Sequence, residues 1–281
     1  MIGVRDLRFS YTKKPFIEGM SFTVGGGEIF GFLGPSGAGK STLQKILTGL
    51  LPGYGGSVLV FGGEAARHKD GFYEKIGVDF EFPSLYEKLT GRENLRFFAS
   101  LYGKHRDMDA LLSQVGLYND GDKRVSAYSK GMKSRLNFIK ALLHDPEILF
   151  LDEPTSGLDP SNARVVKDMI LAEKAKGKTV ILTTHNMFDA TELCDRVAFI
   201  VDGKLRALDT PRNLIMRRGA SQVAYTYSEN GRERRGTVPL HETAGDETLL
   251  RLIRTGGLQS IHSSEPTLND IFVELTGRRL Q

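Results

Sequence analysis

One stretch near the N-terminus constrains this chain more than any other. Residues 34–41 read GPSGAGKS, follow an apolar run at 28–33 (EIFGFL) and precede a helical pattern at 41–49. Glycines let the backbone curve so that successive N–H groups surround a phosphate, and the following helix turns its positive end toward the same anion. A strand, this loop and a helix together predict a nucleotide site. The alternative is a glycine-rich turn without ligand, against which the flanking strand and helix argue.

Two acidic residues end a second apolar strand, at 147–153 (EILFLDE). Carboxylates at the carboxyl edge of a parallel strand lie where open α/β sheets bind ligands. Because successive strand side chains point to opposite faces, we expect one of Asp152 and Glu153 to hold Mg²⁺ and the other to orient water. His185 ends a further buried strand at 178–184, from which its imidazole would reach a γ-phosphate. A structural histidine is the alternative.

Composition and charge exclude several classes of protein. The chain has 281 residues, of which 40% are hydrophobic and 26% charged, as in soluble globular proteins. Its net charge of +4 is too small to indicate a nucleic-acid binder. The single Cys194 excludes an internal disulfide and indicates a reducing compartment. The sequence lacks a signal segment and an apolar run of about 18 residues, so we expect a cytoplasmic chain.

The order of local patterns predicts how the chain is organised. Alternating residues at 4–11 and 20–24 predict an N-terminal antiparallel sheet. Thr90 and Glu93 form a capping box that opens a helical insert, and Ser129 is predicted to cap a second amphipathic helix. These patterns predict an α/β fold with a helical insertion.

The C-terminal part differs in composition from the rest. No lysine occurs after Lys204, and Thr210-Pro211 marks a boundary. Asn230-Gly231 between two strand patterns is a strong hairpin signal, and helical patterns follow at 246–253 and 267–275. Residues 211–281 are therefore predicted to form a small α+β module.

Four segments resemble the ATP-binding-cassette (ABC) ATPases. They are GPSGAGKS at 34–41, YSKGM at 128–132, ILFLDEPTSGLDP at 148–160 and TTH at 183–185, in the family's order and spacing. The resemblance covers about residues 1–210. It implies a P-loop NTPase cassette: a mainly parallel sheet core, an N-terminal antiparallel β-subdomain and a helical signature subdomain inserted at about 82–145. The small C-terminal α+β module would follow at 211–281.

The resemblance also implies roles for single residues. Glu153 would polarise the attacking water, His185 would sense the γ-phosphate, and Tyr11, which by spacing alone is equally a surface turn residue, would stack on adenine. The implied catalytic set is Glu153, His185, Lys40 and Glu81, and the implied metal ligands are Ser41, Glu81 and Asp152. The implied nucleotide-binding residues are Tyr11, Gly34, Pro35, Ser36, Gly37, Ala38, Gly39, Lys40, Ser41 and Thr42, joined from a second subunit by Ser129, Gly131 and Asp159.

The chain departs from the common family pattern at one residue and in one segment. Glu81 stands where the family usually has a glutamine, and its carboxylate can ligate Mg²⁺ but cannot donate a hydrogen bond. YSKGM replaces the commoner LSGGQ and resembles bacterial exporters of drugs, antibiotics and polysaccharides. The segment EPTLNDIFVELTGR at 265–278 resembles the tail of drug-exporter ATPases of the daunorubicin-resistance type.

The resemblance therefore implies an ATPase that uses ATP and Mg²⁺ to power export through separate transmembrane permease subunits. It implies a homodimer, or a heterodimer with a second cassette, that is cytoplasmic and peripheral on the inner face of the cell membrane. Residues 82–89 are where such cassettes receive a short helix of the membrane subunit, although their aromatic side chains could equally be core.

Two other classes of function compete with transport. Soluble ABC ATPases of nucleic acid or the ribosome carry two cassettes or a long coiled coil, whereas Lys40 and Ser129 are only 89 residues apart with no heptad run between them. We therefore expect no nucleic-acid partner. A nucleotide-gated regulatory module with weak turnover is disfavoured by Glu153 and His185.

Overall fold

The protein is represented by a computed structural model that describes residues 1–68, 70–80, 84–216, 222–229, 231–264 and 266–277. Contacts divide the chain into two compact units, Met1–Leu208 and a second that begins at Asp209. Within the described ranges, no helix has the length and apolarity to cross a membrane.

The structure contains thirteen β-strands and nine α-helices within the described residues. The strands are β1 (Ile2–Phe9), β2 (Ile17–Val24), β3 (Ile29–Leu33), β4 (Gly55–Val60), β5 (Gly63–Glu64), β6 (Ile76–Asp79), β7 (Ile148–Asp152), β8 (Thr179–Thr184), β9 (Arg196–Val201), β10 (Lys204–Asp209), β11 (Gln222–Glu229), β12 (Arg232–Pro239) and β13 (Leu258–Ser264). The α-helices are α1 (Lys40–Leu47), α2 (Gly91–Ala99), α3 (Met108–Gln114), α4 (Lys130–Leu142), α5 (Pro160–Ala175), α6 (Met187–Leu193), α7 (Pro211–Met216), α8 (Glu247–Thr255) and α9 (Leu268–Thr276).

A six-stranded sheet in the order β10-β9-β3-β8-β7-β6 forms the centre of the first unit. Its strands β9, β3, β8, β7 and β6 pair in parallel. Strands β3, β7 and β8 are buried along their whole length, as strands covered on both faces are. The register pairs Leu33 with Thr184 and Asp152 with Thr183, so three strands end at one edge of the sheet.

An antiparallel sheet in the order β2-β1-β4-β5 packs beside the central sheet. One hydrophobic core contains residues of both sheets and of α1, among them Phe22, Phe30, Phe32 and Leu43. Phe22 stacks on Phe30 with ring centroids 5.8 Å apart. This core fixes the position of α1 and therefore of the glycine loop that precedes it.

Helices α2, α3 and α4 form the predicted helical insert. The capping box at the start of α2 is confirmed: Thr90 Oγ1 accepts from Glu93 N and Glu93 Oε2 accepts from Thr90 N. Ser129 caps α4 as predicted, since its Oγ accepts from Met132 N at 3.2 Å. Local side-chain bonds thus set where both helices begin.

The second unit contains a three-stranded antiparallel sheet in the order β12-β11-β13. Its hydrophobic core consists of Val223, Tyr225 and Val238 from the sheet and Leu249 and Leu252 from α8. The β11–β12 hairpin agrees with the turn signal at 230–231, although Asn230 itself lies outside the described residues. Helix α7 was not predicted. Thr210-Pro211 was interpreted only as a boundary, whereas Pro211 is the first residue of a helix, where its missing N–H costs nothing.

A buried ion cluster joins the end of α5 to the start of β8. Glu173 is 2% exposed, accepts from Arg106 Nη1 and Lys176 Nζ at 2.7 Å each, and lies 2.8 Å from Lys178 Nζ. Burial alone would raise the pKa of this carboxyl, but hydrogen bonds from Lys176, Lys178 and Arg106 outweigh burial and lower the pKa to about 2.

We expect Glu173→Gln to destabilise the first unit by about 3 kcal/mol at neutral pH, because the amide removes the buried carboxylate that pairs with Arg106 and leaves Lys178 with only its other partner, Asp145. The folded-state pKa lies below the ordinary 4.5, so the carboxylate stabilises the fold above that pH and loses its effect as the pH falls toward 2. Urea unfolding at about pH 7 and about pH 3 measures this. The control is Glu147→Gln, at an exposed glutamate, and an equal loss for Glu173→Gln at both pH values would contradict the prediction.

Candidate nucleotide site

The glycine loop at 34–41 connects β3 to α1. Gly37 and Gly39 have φ of +77° and +110°, a region that favours glycine. A Cβ on Gly34 would lie 2.1 Å from the carbonyl oxygen of Ile200, so β9 leaves no room for a side chain there. A Cβ on Gly37 would meet nothing within 4 Å. The loop therefore presents open backbone on its outer side and is packed on its inner side.

Lys40 places its ammonium inside this loop. The residue is 8% exposed, and its Nζ donates to the carbonyl oxygens of Gly34 at 2.7 Å and Pro35 at 3.1 Å. Gly39 is the N-cap of α1 and supplies no side-chain acceptor to the first turn. A helix N-terminus without a side-chain cap and a fixed ammonium fit an anionic phosphate.

The other predicted residues of the loop and the first turn of α1 differ in how exposed they are to solvent. Ser36 and Ser41 are exposed, and Pro35 is half-buried. Ala38 is buried, and its N–H donates to Pro35 O at 3.2 Å. Thr42 is 8% exposed, and its Oγ1 lies 2.9 Å from the Tyr11 hydroxyl.

Tyr11 lies in the bend between β1 and β2, with its side chain 58% exposed. Its hydroxyl is 2.9 Å from Thr42 Oγ1, and its ring makes edge contacts with Phe9 and Phe16 at centroid distances of 4.8 and 5.4 Å. These contacts hold an exposed aromatic ring beside the first turn of α1. A ring there can stack on a flat base.

The two acids at the end of β7 have different partners. Asp152, 6% exposed, accepts a short hydrogen bond from Thr183 Oγ1. Glu153 accepts from Thr184 Oγ1 at 3.2 Å, and its Oε1 lies 2.8 Å from His185 Nδ1. Glu153 also has a φ of +52°, uncommon for a residue with a side chain. The two carboxylates thus contact consecutive residues of β8, Thr183 and Thr184, and Glu153 is the one that contacts the histidine.

Sequence reasoning missed a buried polar group beside these acids. Asp79 ends β6, is 5% exposed, and accepts a short hydrogen bond from Asn137 Nδ2. Burial raises the pKa of Asp79 to about 7, and Lys140 opposes that rise. Lys140 Nζ donates to Asn137 Oδ1 at 2.6 Å and to Ser84 O at 3.3 Å. The sequence did contain two signals for this polar group: Asp79 lies within an apolar strand pattern, and Asn137 lies on the buried face of a helix.

The second predicted half-site, Ser129, Gly131 and Asp159, lies where α4 meets the turn before α5. A Cβ on Gly131 would lie 3.5 Å from Leu158, in ordinary contact. Asp159 caps α5, and hydrogen bonds from Asn162 lower the pKa of its carboxyl. Within the described part of the chain, no hydrogen bond joins Ser129 or Gly131 to the loop at 34–41.

Glu81, predicted as a catalytic residue and metal ligand, lies outside the described residues, as does Phe82 of the predicted docking segment.

Comparison with known proteins decides the family. Residues 17–156 match the family model described as ABC transporter. The whole chain is 52% identical to the fluoroquinolones export ATP-binding protein of Mycobacterium tuberculosis (strain CDC 1551 / Oshkosh), across 94% of that protein. The chain belongs to the ABC transporter family. This ABC ATPase binds ATP and hydrolyses it in support of transport.

Further similarities agree with this assignment. The ABC ATPase is 36% identical over its whole length to the Nod factor export ATP-binding protein I of Rhizobium meliloti (strain 1021), across 89% of that protein. The solved structure of an ATP-binding subunit of an ABC transporter has a TM-score of 0.71 and 30% identity, over 78% of this chain and 93% of that one. The predicted family, its exporter group and the cassette fold are thus confirmed.

Proposed function

We propose that two copies of this ABC ATPase close head to tail around two ATP molecules. Each site would combine the loop at 34–41 of one copy with Ser129, Gly131 and Asp159 of the other. The main support is that Ser129 caps the 13-residue helix α4, whose N-terminus is exposed. Within the described residues, Ser129 and Gly131 make no hydrogen bond to the loop at 34–41 of the same copy. Such a helix end supplies donors to a γ-phosphate that a single loop leaves open.

Within each site, the residues divide the chemistry. Lys40 and the loop N–H groups bind the phosphates, and Tyr11 stacks on the adenine. Glu153 accepts a proton from the attacking water, and His185, held at 2.8 Å from the Glu153 carboxylate, orients that carboxylate and senses the γ-phosphate. Loss of the bridging γ-phosphate would loosen the dimer, which supplies the work stroke.

The donor set fits Mg²⁺ bound together with the nucleotide. Asp152 and Ser41 offer the hard oxygen ligands that Mg²⁺ prefers, and Glu81 is a third proposed ligand. In the described residues, no group of three or more histidine, cysteine or acidic side chains gathers to hold a metal. This agrees with an ion that takes its remaining ligands from phosphates and water. When bound, Mg²⁺ would neutralise charge on the β- and γ-phosphates.

A transmembrane permease subunit is the proposed partner, which would hold the ABC ATPase at the inner face of the cell membrane. Support comes from an aromatic surface on the helical insert. Tyr86 and Phe97 are 50% and 42% exposed, their rings are 4.9 Å apart, and Phe98 lies beside both. Clustered exposed aromatic rings are typical of protein interfaces. From the 52% identity across the whole chain, we propose a fluoroquinolone-like drug as the exported compound.

We expect Tyr86→Ala to reduce recovery of the permease about 10-fold when the tagged ABC ATPase is captured from detergent-solubilised membranes, because the substitution removes a central aromatic contact. Basal ATP turnover of the isolated protein should not change. The matched control is Tyr118→Ala, since Tyr118 is 48% exposed on the same insert.

The same variants test the exported compound. Inside-out vesicles that contain the complex are expected to accumulate a fluoroquinolone when ATP is supplied, and vesicles with Tyr86→Ala to accumulate far less. Equal permease recovery with Tyr86→Ala and Tyr118→Ala would refute the docking surface. Normal recovery without any drug accumulation would refute the proposed cargo alone.

A further inference from the structure

The turn between β9 and β10 contacts the glycine loop through its backbone. Asp202 and Gly203 form a two-residue hairpin turn with φ of +50° and +69°. Gly203 N–H donates to the carbonyl oxygen of Ala38 at 3.1 Å, and Gly203 O accepts from Glu18 N at 3.1 Å. One residue of this turn is therefore bonded both to the phosphate-binding loop and to the start of β2.

The same glycine is packed too closely for any side chain. A Cβ on Gly203 would lie 1.7 Å from the carbonyl oxygen of Phe16 and 3.2 Å from Ile17 Cα. Both neighbours are backbone atoms, so no flexible side chain can move away. A larger residue at 203 must displace either the turn, and with it the bond to Ala38, or the backbone of Phe16.

Phe16 extends this contact to the adenine side of the site. Its ring lies 5.4 Å from the Tyr11 ring, and a Cβ on Gly39 would be 3.6 Å from Phe16 Cε1. The Phe16 N–H also donates to Phe9 O at 2.9 Å, which closes the bend that carries Tyr11. Phe16 thus lies between the glycine loop and the tyrosine.

We infer that Gly203 is a positioning residue for ATP, which fixes the distance between the phosphate-binding loop and the adenine-stacking Tyr11. It acts through the Ala38 carbonyl on one side and through Phe16 on the other. The inference rests on the proposed placement of the phosphates at 34–41. It assigns part of the nucleotide affinity to a turn that lies outside the loop at 34–41.

The test compares Gly203→Ala with Gly62→Ala. Gly62 has φ of +76°, and a Cβ there would meet nothing within 4 Å, so this control carries the same backbone strain without the overlap. Calorimetric titration with ATP and with inorganic triphosphate measures affinity, and thermal unfolding without ligand measures stability. We expect Gly203→Ala to bind ATP about 10-fold more weakly than Gly62→Ala and to lose less affinity for triphosphate, which has no base to stack on Tyr11, because small displacements of binding groups have large effects.

A milder variant keeps the test decisive if Gly203→Ala does not fold. Phe16→Leu leaves the turn intact and removes the ring beside Tyr11, so ATP should bind about 5-fold more weakly while triphosphate binding stays unchanged. The inference would be overturned if Gly203→Ala and Gly62→Ala bound ATP with equal affinity. It would also be overturned if Phe16→Leu lost as much affinity for triphosphate as for ATP. Unchanged ATP and triphosphate binding in Lys40→Ala would instead overturn the proposed phosphate site, and the inference with it.

Discussion

Glu153→Gln is expected to lower steady-state ATP turnover by about 100-fold or more, the range that a positioned general base contributes. The glutamine amide has the same shape but cannot accept a proton from water. The surrounding contacts with Thr184 and His185 involve hydrogen bonds that an amide can also make. ATP should therefore bind normally, remain uncleaved, and hold the variant as an ATP-bound dimer.

Two measurements check this expectation. Phosphate release gives turnover, and size-exclusion chromatography with ATP gives the dimer fraction. The matched control is Glu147→Gln, because Glu147 precedes the same strand, is paired with Lys75 at its surface, and lies at the opposite end from the site. Turnover of Glu153→Gln equal to that of the control would remove Glu153 from the proposed catalytic role.

Ser129→Asp is expected to lower turnover about 100-fold while leaving ATP affinity of the single copy unchanged. Aspartate is as good an N-cap as serine, so α4 should keep its start and the fold its stability. In the proposed dimer, however, this carboxylate would face the γ-phosphate of the partner and replace a hydrogen-bond donor. The loss should therefore appear only in turnover and in dimer formation.

The control for this variant is Ser126→Asp, which adds the same charge at another exposed serine three residues earlier. ATP affinity is measured by calorimetry at protein concentrations too low for dimerisation. Wild-type turnover in Ser129→Asp, or an equal loss in Ser126→Asp, would contradict a phosphate-facing role for Ser129.

Much of the site could be predicted because its signals are local. The curvature of the loop at 34–41, the cap at Ser129 and the strand that ends in Asp152 depend on residues adjacent in sequence. The alternation of side chains along a strand also predicts that the two acids have different surroundings, and Asp152 and Glu153 do contact different residues of β8.

What could not be predicted depends on residues far apart in the chain. The dipeptide Asp202-Gly203 is typical of a hairpin turn, but the bond of that turn to Ala38 requires the side-by-side placement of β3 and β9. The Asp79–Asn137 bond likewise joins a strand to a helix 58 residues later. Such contacts follow from sheet order and helix packing, which local patterns do not specify.

The most direct test of the proposed two-copy site mixes two inactive variants. Lys40→Ala and Ser129→Asp damage opposite halves, so a mixed dimer keeps one site in which the loop and the facing serine are both intact. Turnover is expected to rise on mixing to about a quarter of the wild-type value, since half of the dimers are mixed and each retains one of two sites. A mixture no more active than the separate variants would contradict a site shared between two copies.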